Sequence, residues 1–393
     1  MLKKLGDISV EEFLAEYWQK KPLLIRNAFK DFTSSISSDE LAGLSCDEDV
    51  ESRLVLGGRP GAPWELRHGP FSDKDFRDLP ASHWTLLVQA VDHWVPEVRA
   101  LLDHFRFIPN WRVDDIMISY AADQGSVGPH YDHYDVFLLQ GAGQREWQIG
   151  EFCWESSSLL KDTPLRILSE FSATNRWTLS PGDMLYLPPK VAHWGVAQGD
   201  CLTYSIGFRS LSTADILLNY SQELSSYLSE EHRYTDADLP LQKDPGEINN
   251  VAIEKLHTML LEAVQDKKQF THWLGRFTTE NKYAQLDTLV LHEKWENVLE
   301  QLMDGANLFR NESSRFAYTR STEGSTTENN LGIDFCLYVD GEIYSCTPAQ
   351  RGLAVLLCKE YKTTGPELIS ATQNSESQDL LVTFINKGIL YLE

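Results

Sequence analysis

Two histidines and one aspartate are spaced in this chain so that they could bind a single metal ion. His130 and Asp132 form an HxD pair within the residues Gly-Pro-His-Tyr-Asp, and His193 follows 63 residues later, after two consecutive prolines. Two imidazoles and one carboxylate can hold one face of an octahedral Fe(II), which leaves three positions for a bidentate cosubstrate and dioxygen. The residue types and their order therefore predict a non-haem iron oxygenase.

A second HxD pair overlaps the first, so the sequence offers two candidate sets of ligands. Side chains alternate between the faces of an extended strand, so His130 and Asp132 share one face while His133 and Asp135 share the other. This alternation does not choose between the pairs. The glycine and proline before the first pair mark an entry where a metal could approach, whereas Asp135 opens an apolar run typical of a strand interior. We therefore favour the first pair.

Short β-rich segments surround these residues and predict the elements that hold them. A Pro-Gly-Asp turn at 181–183 precedes an apolar run at 184–187, which two prolines end before His193. Other β-rich segments are Met117–Tyr120, Val136–Gln140, Glu146–Ile149 and Leu202–Phe208. Several short strands separated by Gly and Pro indicate a barrel or sandwich, whose mouth is a usual ligand site.

A 2-oxo dicarboxylate that chelates the iron would need a cation for its far carboxylate, and the arginine fork suits that group. Arg145 is the candidate, on a predicted turn at the start of the strand after the HxD strand; the alternative is a surface arginine paired with Glu146. Hydroxyl side chains that could complete this pocket, or simply face water, are Ser119, Thr203 and Ser205.

One acidic residue shortly before the HxD pair is a candidate for the substrate side of the site. Asp123 lies seven residues before His130 and could receive a cationic side chain of the substrate. It is equally well explained as a turn aspartate, because Gln and Gly follow it directly. Both interpretations of Asp123 stay open at this point.

Three phrases of the sequence carry a resemblance to a known family. They are GPHYDHYDVFLLQGAGQREWQIG, LSPGDMLYLPPKVAHWG and the amino-terminal EEFLAEYWQKKPLLIRNAF. Together they resemble the bacterial ribosomal oxygenases of the JmjC class, above all those that hydroxylate an arginine of large-subunit ribosomal protein L sixteen at its β-carbon. The resemblance implies an enzyme that uses Fe(II), 2-oxoglutarate and dioxygen. Ribosomal histidine hydroxylation, lysine demethylation and a non-catalytic assembly role are the alternatives.

The resemblance also assigns roles to residues. It implies that His130, Asp132 and His193 bind iron, that Arg145 holds 2-oxoglutarate, and that Asp123 contacts the substrate guanidinium. The family has a residue that is not a ligand at the position of His133, which supports the first HxD pair.

The resemblance implies a mixed α and β fold in three parts. A double-stranded β-helix, the JmjC or cupin-like barrel, is expected over residues 1–210. A helical region that forms a homodimer is expected over 211–299, and a winged-helix-like domain over 300–393. Apolar residues three and four positions apart do predict helices within 214–220, 253–264 and 270–277. From the sequence alone, their apolar faces could equally pack against the catalytic part.

Charge and composition restrict the partners of the protein. The formal net charge is −23, which argues against unaided nucleic-acid binding and suits a basic partner such as a ribosomal protein. Residues 300–393 hold 7 Lys and Arg against 13 Asp and Glu, so the winged-helix-like part is not expected to bind DNA. We expect a structural or protein-contact role for it, with a loop at 321–330.

Further features of the sequence predict the compartment. No apolar stretch approaches membrane-spanning length, and the first residues lack the apolar core of a secretion signal. The six cysteines show neither CxxC pairs nor a dense spacing, so they are expected to be buried thiols in a reducing environment. We therefore expect a cytoplasmic protein without a membrane partner.

Overall fold

The computed structural model of the chain describes residues 2–59, 61–283, 291–320 and 335–393. The loop expected at 321–330 lies outside these residues. In chain order up to residue 210 the elements are β1 Lys4–Leu5, β2 Ile8–Ser9, α1 Val10–Glu16, β3 Leu23–Ile25, α2 Ser38–Leu44, β4 Ser52–Leu56, β5 Glu65–His68, α3 Asp73–Arg77, β6 Trp84–Val88, α4 Pro96–Ala100, β7 Val113–Ala121, β8 Asp135–Phe152, β9 Asn175–Leu179, β10 Met184–Leu187 and β11 Val191–Phe208.

After residue 210 the described chain begins with helices and ends with a mixture of short strands and helices. The elements are α5 Thr213–Tyr227, α6 Asn250–Val264, α7 Lys267–Thr279, α8 Trp295–Met303, β12 Leu308–Arg310, β13 Phe316–Arg320, β14 Phe335–Val339, β15 Glu342–Ser345, α9 Arg351–Lys359, β16 Lys362–Thr363, α10 Gly365–Ala371, α11 Ser375–Asn386 and β17 Leu390–Leu392. The three helices predicted in the middle region are thus confirmed as α5, α6 and α7.

One antiparallel sheet dominates the first part of the chain. Its strand order is β3-β10-β8-β11-β7-β6-β4-β5, and β9 pairs with β8 off this path. Strands β8 and β11 are each 18 residues long and pair with each other along most of their length. Strand β10 pairs with the first part of β8, and β9 pairs with its second part. The predicted barrel or sandwich of antiparallel strands is confirmed.

Alternation along the strands gives this sheet two buried faces. Phe137 of β8 and Tyr186 of β10 point to the main core, where they pack against Phe13 of α1 at ring-centroid distances of 5.6 and 4.9 Å. Each fully buried aromatic side chain of this kind contributes about 1.5–3 kcal/mol. The alternate residues Val136 and Leu138 point to the other face, in a separate apolar cluster. One strand thereby builds both the core and a wall of the site described below.

The strands expected at 136–140 and 146–149 are a single strand, so the turn predicted between them is wrong. Gly143 has φ +63 in the middle of β8, and the pairing of β8 with β11 shifts register between Gln198 and Leu202. A Cβ at Gly143 would lie 2.1 Å from the carbonyl oxygen of Asp200. Glycine therefore permits a bulge, and the strand continues through it instead of reversing.

The described residues form two compact units. The first contains residues 2–210, 281–314 and 356–393, and the second contains 211–280 and 315–355, with 60, 284–290 and 321–334 not described. In the second unit, Tyr220 of α5 packs on Trp273 of α7 at a centroid distance of 5.1 Å, and β13, β14 and β15 form a sheet. The three consecutive segments with boundaries at 210 and 299 stay a prediction.

Two findings bear on the expected compartment. Within the described ranges, no helix combines the length and the apolar character that crossing a membrane requires. All six cysteines are free thiols, and five of them are buried. Cys46 is exposed, which corrects the expectation that all six are buried.

Candidate active site

The two candidate histidine ligands lie side by side because their backbones pair with each other. His130 precedes β8 and His193 is the third residue of β11, and each donates its backbone N–H to the other's carbonyl, at 3.0 and 2.8 Å. The ring centroids are 4.2 Å apart. The pairing across two distant segments therefore brings together residues that are 63 positions apart in sequence.

Asp132 completes a cluster of three potential metal ligands. Its Oδ2 lies 3.5 Å from Nε2 of His193 and 4.0 Å from Nε2 of His130. The ligand atoms of the three residues all lie within 4.8 Å of one another. One ion placed between them could contact all three at usual coordination distances. The structure thus brings together the three residues predicted to bind iron.

Both imidazoles are held with the same nitrogen toward this shared space. Nδ1 of His130 donates to the carbonyl of Gly128, and Nδ1 of His193 donates to the carbonyl of Val191, each at 2.9 Å. The Nε2 lone pairs therefore face the shared space, because a hydrogen bond from one ring nitrogen fixes the tautomer and the orientation of a metal-binding histidine. Burial, together with neighbouring His130, lowers the pKa of His193 to about 4, so the neutral imidazole needed for coordination is present at neutral pH.

The HxD pair does not lie on a regular strand, contrary to the expectation. Residues 131–134 are irregular, and β8 begins only at Asp135. Gly128 has φ +81, and a Cβ there would lie 2.9 Å from the side chain of Ile167. The backbone N–H of Lys190 donates to the carbonyl of Asp132 at 2.6 Å. His130 and Asp132 therefore face the same space because of a packed loop and this hydrogen bond, and not because they alternate along a regular strand.

The second HxD pair has a different role. Asp135 is fully buried and accepts hydrogen bonds from Gln19, Arg112 and Tyr186 at 2.9, 3.1 and 2.7 Å. His133 instead packs against the ring of Tyr131. Asp135 therefore ties the start of β8 to the amino-terminal segment, and the preference for the first HxD pair agrees with this geometry.

A cavity of about 230 Å³ opens beside the three ligands. It lies between strands of the large sheet, with apolar walls from β7 and β8 and a few polar groups. Its lining residues are Arg53, Val55, Leu66, Thr85, Leu87, Met117, Ser119, Val127, His130, Asp132, Tyr134, Val136, Leu138, Arg145, Trp147, Leu165, His193, Thr203 and Ser205. An apolar cavity with a few convergent polar groups is typical of a small-molecule site.

Arg145 points into this cavity from the interior of β8, not from a turn. Its Nη1 donates to the hydroxyls of Ser119 and Thr203, at 3.2 and 3.4 Å, and its guanidinium carbon lies 5.2 Å from the ring centroid of Trp147. The alternative of a surface arginine paired with Glu146 is wrong, because Arg145 is 3% exposed. Ser205 also lines the cavity, on the same strand as Thr203.

The guanidinium of Arg145 is a buried cation that still needs an anion. Its Nε has no hydrogen-bond partner, and among the described residues no carboxylate forms an ion pair with it. Burial lowers the pKa of Arg145, but arginine stays protonated in proteins. A buried charge without a counter-ion is costly, so the arrangement fits a carboxylate ligand with two oxygens.

Asp123 lies outside the cavity lining. It is exposed in the turn after β7, and its Oδ1 accepts a hydrogen bond from the backbone N–H of Gly199 at 2.8 Å. The turn interpretation explains this contact, and a role in substrate binding stays a prediction.

Several lining residues were not singled out from the sequence, among them Trp147, Tyr134 and Arg53. Trp147 lies within the family phrase that includes Arg145, so this phrase was a usable signal for it. Tyr134 is the middle residue of the second HxD pair, and the alternation of side chains along a strand predicts no role for it. Arg53 lies in β4, far from every motif, and only the strand pairing brings it to the cavity.

Comparisons with known proteins agree with this arrangement. Residues 100–216 match the JmjC domain family, and residues 262–391 match the ROXA-like winged helix family. The chain is 37% identical over 272 residues to the ribosomal protein uL16 3-hydroxylase of Escherichia coli strain K12, which covers 69% of this chain and 72% of that protein. It is 34% identical over 347 residues to a probable ribosomal oxygenase of Haemophilus influenzae, which covers 85% and 82%.

Solved structures extend the likeness to the whole chain. The X-ray structure of E. coli YcfD is similar with a TM-score of 0.85 and 31% identity, over 100% of both chains. The complex of YcfD with cobalt and 2-oxoglutarate is similar with a TM-score of 0.81 and 31% identity, over 99% of both chains. The expected mixed α and β fold, with a JmjC or cupin-like barrel and a winged-helix domain, is confirmed. This chain, which joins a JmjC domain to a ROXA-like winged helix, belongs to the ribosomal oxygenase family.

Proposed function

We propose that the protein is an Fe(II)- and 2-oxoglutarate-dependent dioxygenase that hydroxylates the β-carbon of an arginine in ribosomal protein uL16. The observation that carries the proposal is one cavity that holds both a His-Asp-His cluster and a buried arginine for which the described residues supply no counter-ion. A similar protein of E. coli is named a uL16 3-hydroxylase. The similar structure of E. coli YcfD was solved with cobalt and 2-oxoglutarate.

His130, Asp132 and His193 would hold the iron, and their donor set fits it. Two neutral imidazoles and one carboxylate occupy three positions of an octahedral ion and leave three positions open. Iron with bound 2-oxoglutarate and dioxygen supplies the oxidation, in which the cosubstrate becomes succinate and carbon dioxide and one oxygen atom enters a C–H bond of the substrate. The chain itself would bind and orient the cosubstrate and the substrate and would exclude water.

Arg145 would bind the far carboxylate of 2-oxoglutarate, with help from the hydroxyls that line the same wall. Ser119 and Thr203 already contact its guanidinium, which fixes the direction of the fork, and Ser205 lies two residues beyond Thr203. Val136 and Leu138 supply an apolar wall that keeps bulk water from the bound cosubstrate. The low local polarity strengthens the pairing between arginine and carboxylate.

The proposed substrate agrees with the charge of the protein. A net charge of −23 attracts a basic ribosomal protein and repels free nucleic acid. Asp123 stays a candidate contact for the substrate guanidinium. We also propose that the protein acts on this ribosomal protein in the cytoplasm, without a membrane or DNA partner.

The proposed activity is tested by incubating iron-loaded protein with 2-oxoglutarate, air and purified uL16, followed by tandem mass spectrometry of the product. We expect a gain of one oxygen on one arginine, and none with His130→Ala. Oxygen on a histidine, or loss of methyl groups from a lysine, would assign another reaction of the same class. Bound iron and 2-oxoglutarate without any product on uL16 would contradict the proposed substrate.

We further propose that the helical region forms a homodimer. In α6 no residue is buried, although the helix carries several large apolar side chains. Those that are about half exposed or more are Val251, Ile253, Leu256, Leu260 and Leu261, and α5 adds Leu217, Leu218 and Tyr227. Apolar faces of this extent usually mark an interface, and a second copy of the same helices would cover them.

The homodimer is tested by measuring the mass of the protein in solution. Light scattering after size-exclusion chromatography should give twice the chain mass of 44.8 kDa. The double variant Leu256→Glu and Leu260→Glu should give the monomer, while Glu254→Gln, a polar change on the same helix, should stay dimeric. A wild-type monomer at micromolar concentration would contradict the dimer.

A further inference from the structure

Arg53 is a second arginine in the cavity, separate from Arg145. It lies on β4 opposite Leu87 of β6, and Leu87 lies opposite Ser119 of β7, so the three residues form one row across the sheet. Neighbouring strands are about 4.8 Å apart, so the backbone of Arg53 is about 10 Å from that of Ser119, which contacts Arg145. The cavity therefore has two cationic side chains that start from different strands.

One nitrogen of the Arg53 guanidinium has no hydrogen-bond partner in the described parts of the chain. Its Nε is buried and without a hydrogen-bond acceptor, and no carboxylate forms an ion pair with its guanidinium. The hydroxyl of Thr85 is also buried and unpaired, and Thr85 lies opposite Val55, two residues along β4 from Arg53. Unpaired buried polar groups are rare in folded proteins, so a pair of them beside a cavity points to a ligand.

The ligand for Arg53 must bring an oxygen acceptor with it. Among the described residues that line the cavity, Asp132 is the one acidic side chain, and the proposed function commits it to iron. The same proposal commits the far carboxylate of 2-oxoglutarate to Arg145. The protein substrate is the other molecule that the proposed function brings to this cavity, and it can supply an acceptor.

The chemistry of the proposed reaction indicates which acceptor this is. The β-carbon is bonded directly to the α-carbon, so oxidation there requires the substrate main chain to enter the cavity mouth. The substrate guanidinium cannot take this place, because two cationic side chains line the cavity and like charges repel. A main-chain carbonyl oxygen fits, because it is neutral and accepts a hydrogen bond from a guanidinium.

We propose that Arg53 donates a hydrogen bond to a main-chain carbonyl oxygen of the substrate polypeptide, at the target residue, and so holds its β-carbon beside the metal centre. This inference rests on the proposed function. It assigns Arg53 to the substrate and Arg145 to the cosubstrate. It also directs the substrate guanidinium away from β4.

The first test compares Arg53→Met and Arg53→Lys with wild type, using iron-loaded full-length protein and a uL16 peptide that contains the hydroxylated arginine. Arg53→Met should lower kcat/KM for the peptide by about ten- to a hundred-fold, the usual effect of losing a hydrogen bond to a charged group. Arg53→Lys should recover part of this loss. The KM for 2-oxoglutarate should stay at the wild-type value, and circular dichroism with thermal unfolding checks that the variant is folded.

Arg67→Met is the matched control. Arg67 lies on β5 opposite Leu54, so its side chain starts from the other face of the same strand pair and contacts Glu65. This change should leave kcat/KM for the peptide unchanged. Peptide binding, measured by fluorescence anisotropy without dioxygen, should weaken for Arg53→Met and not for Arg67→Met.

The second test asks whether the acceptor is the main-chain carbonyl. A peptide with an ester in place of the amide that follows the target arginine has a weaker carbonyl acceptor at this residue. Wild type should use the ester several-fold less well than the amide, whereas Arg53→Met should use both equally. Equal losses in both proteins would overturn the proposed contact, and a raised KM for 2-oxoglutarate in Arg53→Met would assign Arg53 to the cosubstrate instead.

These outcomes separate the inference from the proposed function. Failure of wild type to hydroxylate uL16 would remove the proposed substrate and, with it, the role of Arg53. A fully active wild type with an equally active Arg53→Met would overturn the role of Arg53 alone.

Discussion

His130 and His193 exchange a pair of backbone hydrogen bonds, so the two predicted ligands are joined by the backbone itself. Their side-chain Nδ1 atoms are also held by the protein's own carbonyls. The site is therefore preorganised by the sheet. Removing the metal should leave the fold intact, unlike in small domains whose folding depends on a metal.

This arrangement predicts the effect of replacing each ligand. His130→Ala, Asp132→Ala or His193→Ala should reduce hydroxylation to background and weaken iron binding strongly, because each change removes one of three protein ligands. His133→Ala should keep both, because this ring packs on Tyr131 away from the cluster. Iron binding is measured by titration without dioxygen, with product by mass spectrometry. An inactive His133→Ala beside an active His130→Ala would reverse the choice of HxD pair.

Arg145→Met should separate cosubstrate binding from stability. The change removes a buried charge without a counter-ion, so the unliganded protein should lose little stability or gain some, while the KM for 2-oxoglutarate rises by about ten- to a hundred-fold. The thermal shift that 2-oxoglutarate produces in wild type should largely disappear. Arg176→Met, an exposed arginine of β9, is the control. An unchanged KM for 2-oxoglutarate in Arg145→Met would contradict the assignment.

Asp135 is predicted to act in folding and not as a ligand. Asp135→Ala removes a buried carboxylate that Arg112, Gln19 and Tyr186 contact, and leaves a buried cation unpaired, so the free energy of unfolding should fall by about 3 kcal/mol. The protein that remains folded should bind iron as wild type does. Denaturant unfolding and iron titration measure the two effects. A stable Asp135→Ala variant that no longer binds iron would show that Asp135, and not Asp132, is the carboxylate ligand.

Asp115 is predicted to make stability depend on pH. Burial, with nearby Asp92 and Asp114, raises the pKa of Asp115 to about 7, while its side chain accepts hydrogen bonds from Ala90 and Tyr283. The carboxyl of Asp115 therefore holds its proton more tightly in the folded state than in the unfolded state. The protonated form stabilises the fold, and this stabilisation is lost as the pH rises from about 4 to about 7.

The corresponding variant is Asp115→Asn, whose amide oxygen can accept the same two hydrogen bonds. It should be about as stable as wild type near pH 4 and more stable at pH 8, by at most about 4 kcal/mol. Asp114→Asn is an informative comparison, because Asp114 has basic partners in Arg209 and Lys282 and should lose stability instead. A difference between Asp115→Asn and wild type that is the same at both pH values would contradict this prediction.

Asp123 gives a prediction that distinguishes a turn from a substrate contact. Asp123→Asn keeps an oxygen that can accept from Gly199 but removes the negative charge. If Asp123 binds the substrate guanidinium, kcat/KM for the uL16 peptide should fall about ten-fold while thermal stability stays constant. If kcat/KM for the peptide is the same in Asp123→Asn and wild type, at low and at high salt, Asp123 has only its role in the turn.

Much of the site could be predicted from the sequence because its signals are local. The HxD pair, the later histidine after two prolines and the arginine in the β-rich phrase are each read from a few neighbouring residues, and a known family supplies their roles. Helices α5, α6 and α7 were likewise visible in short-range patterns. The turn predicted just before Arg145 is a bulge at Gly143 within β8. A glycine with positive φ suits a turn and a bulge equally well, and only the pairing with β11 distinguishes them.

The tertiary structure decided what depends on contacts between distant segments. The choice between His130 and His133 follows from the backbone pairing with His193 and from the burial of Asp135, neither of which is encoded in strand alternation. Arg53 reaches the cavity because β4, β6 and β7 are neighbours in the sheet, although it precedes Ser119 by 66 residues. Local sequence sets which side chains are available and which face of an element they share; which faces meet is set by strand order and register, and these follow from the burial of the whole sheet.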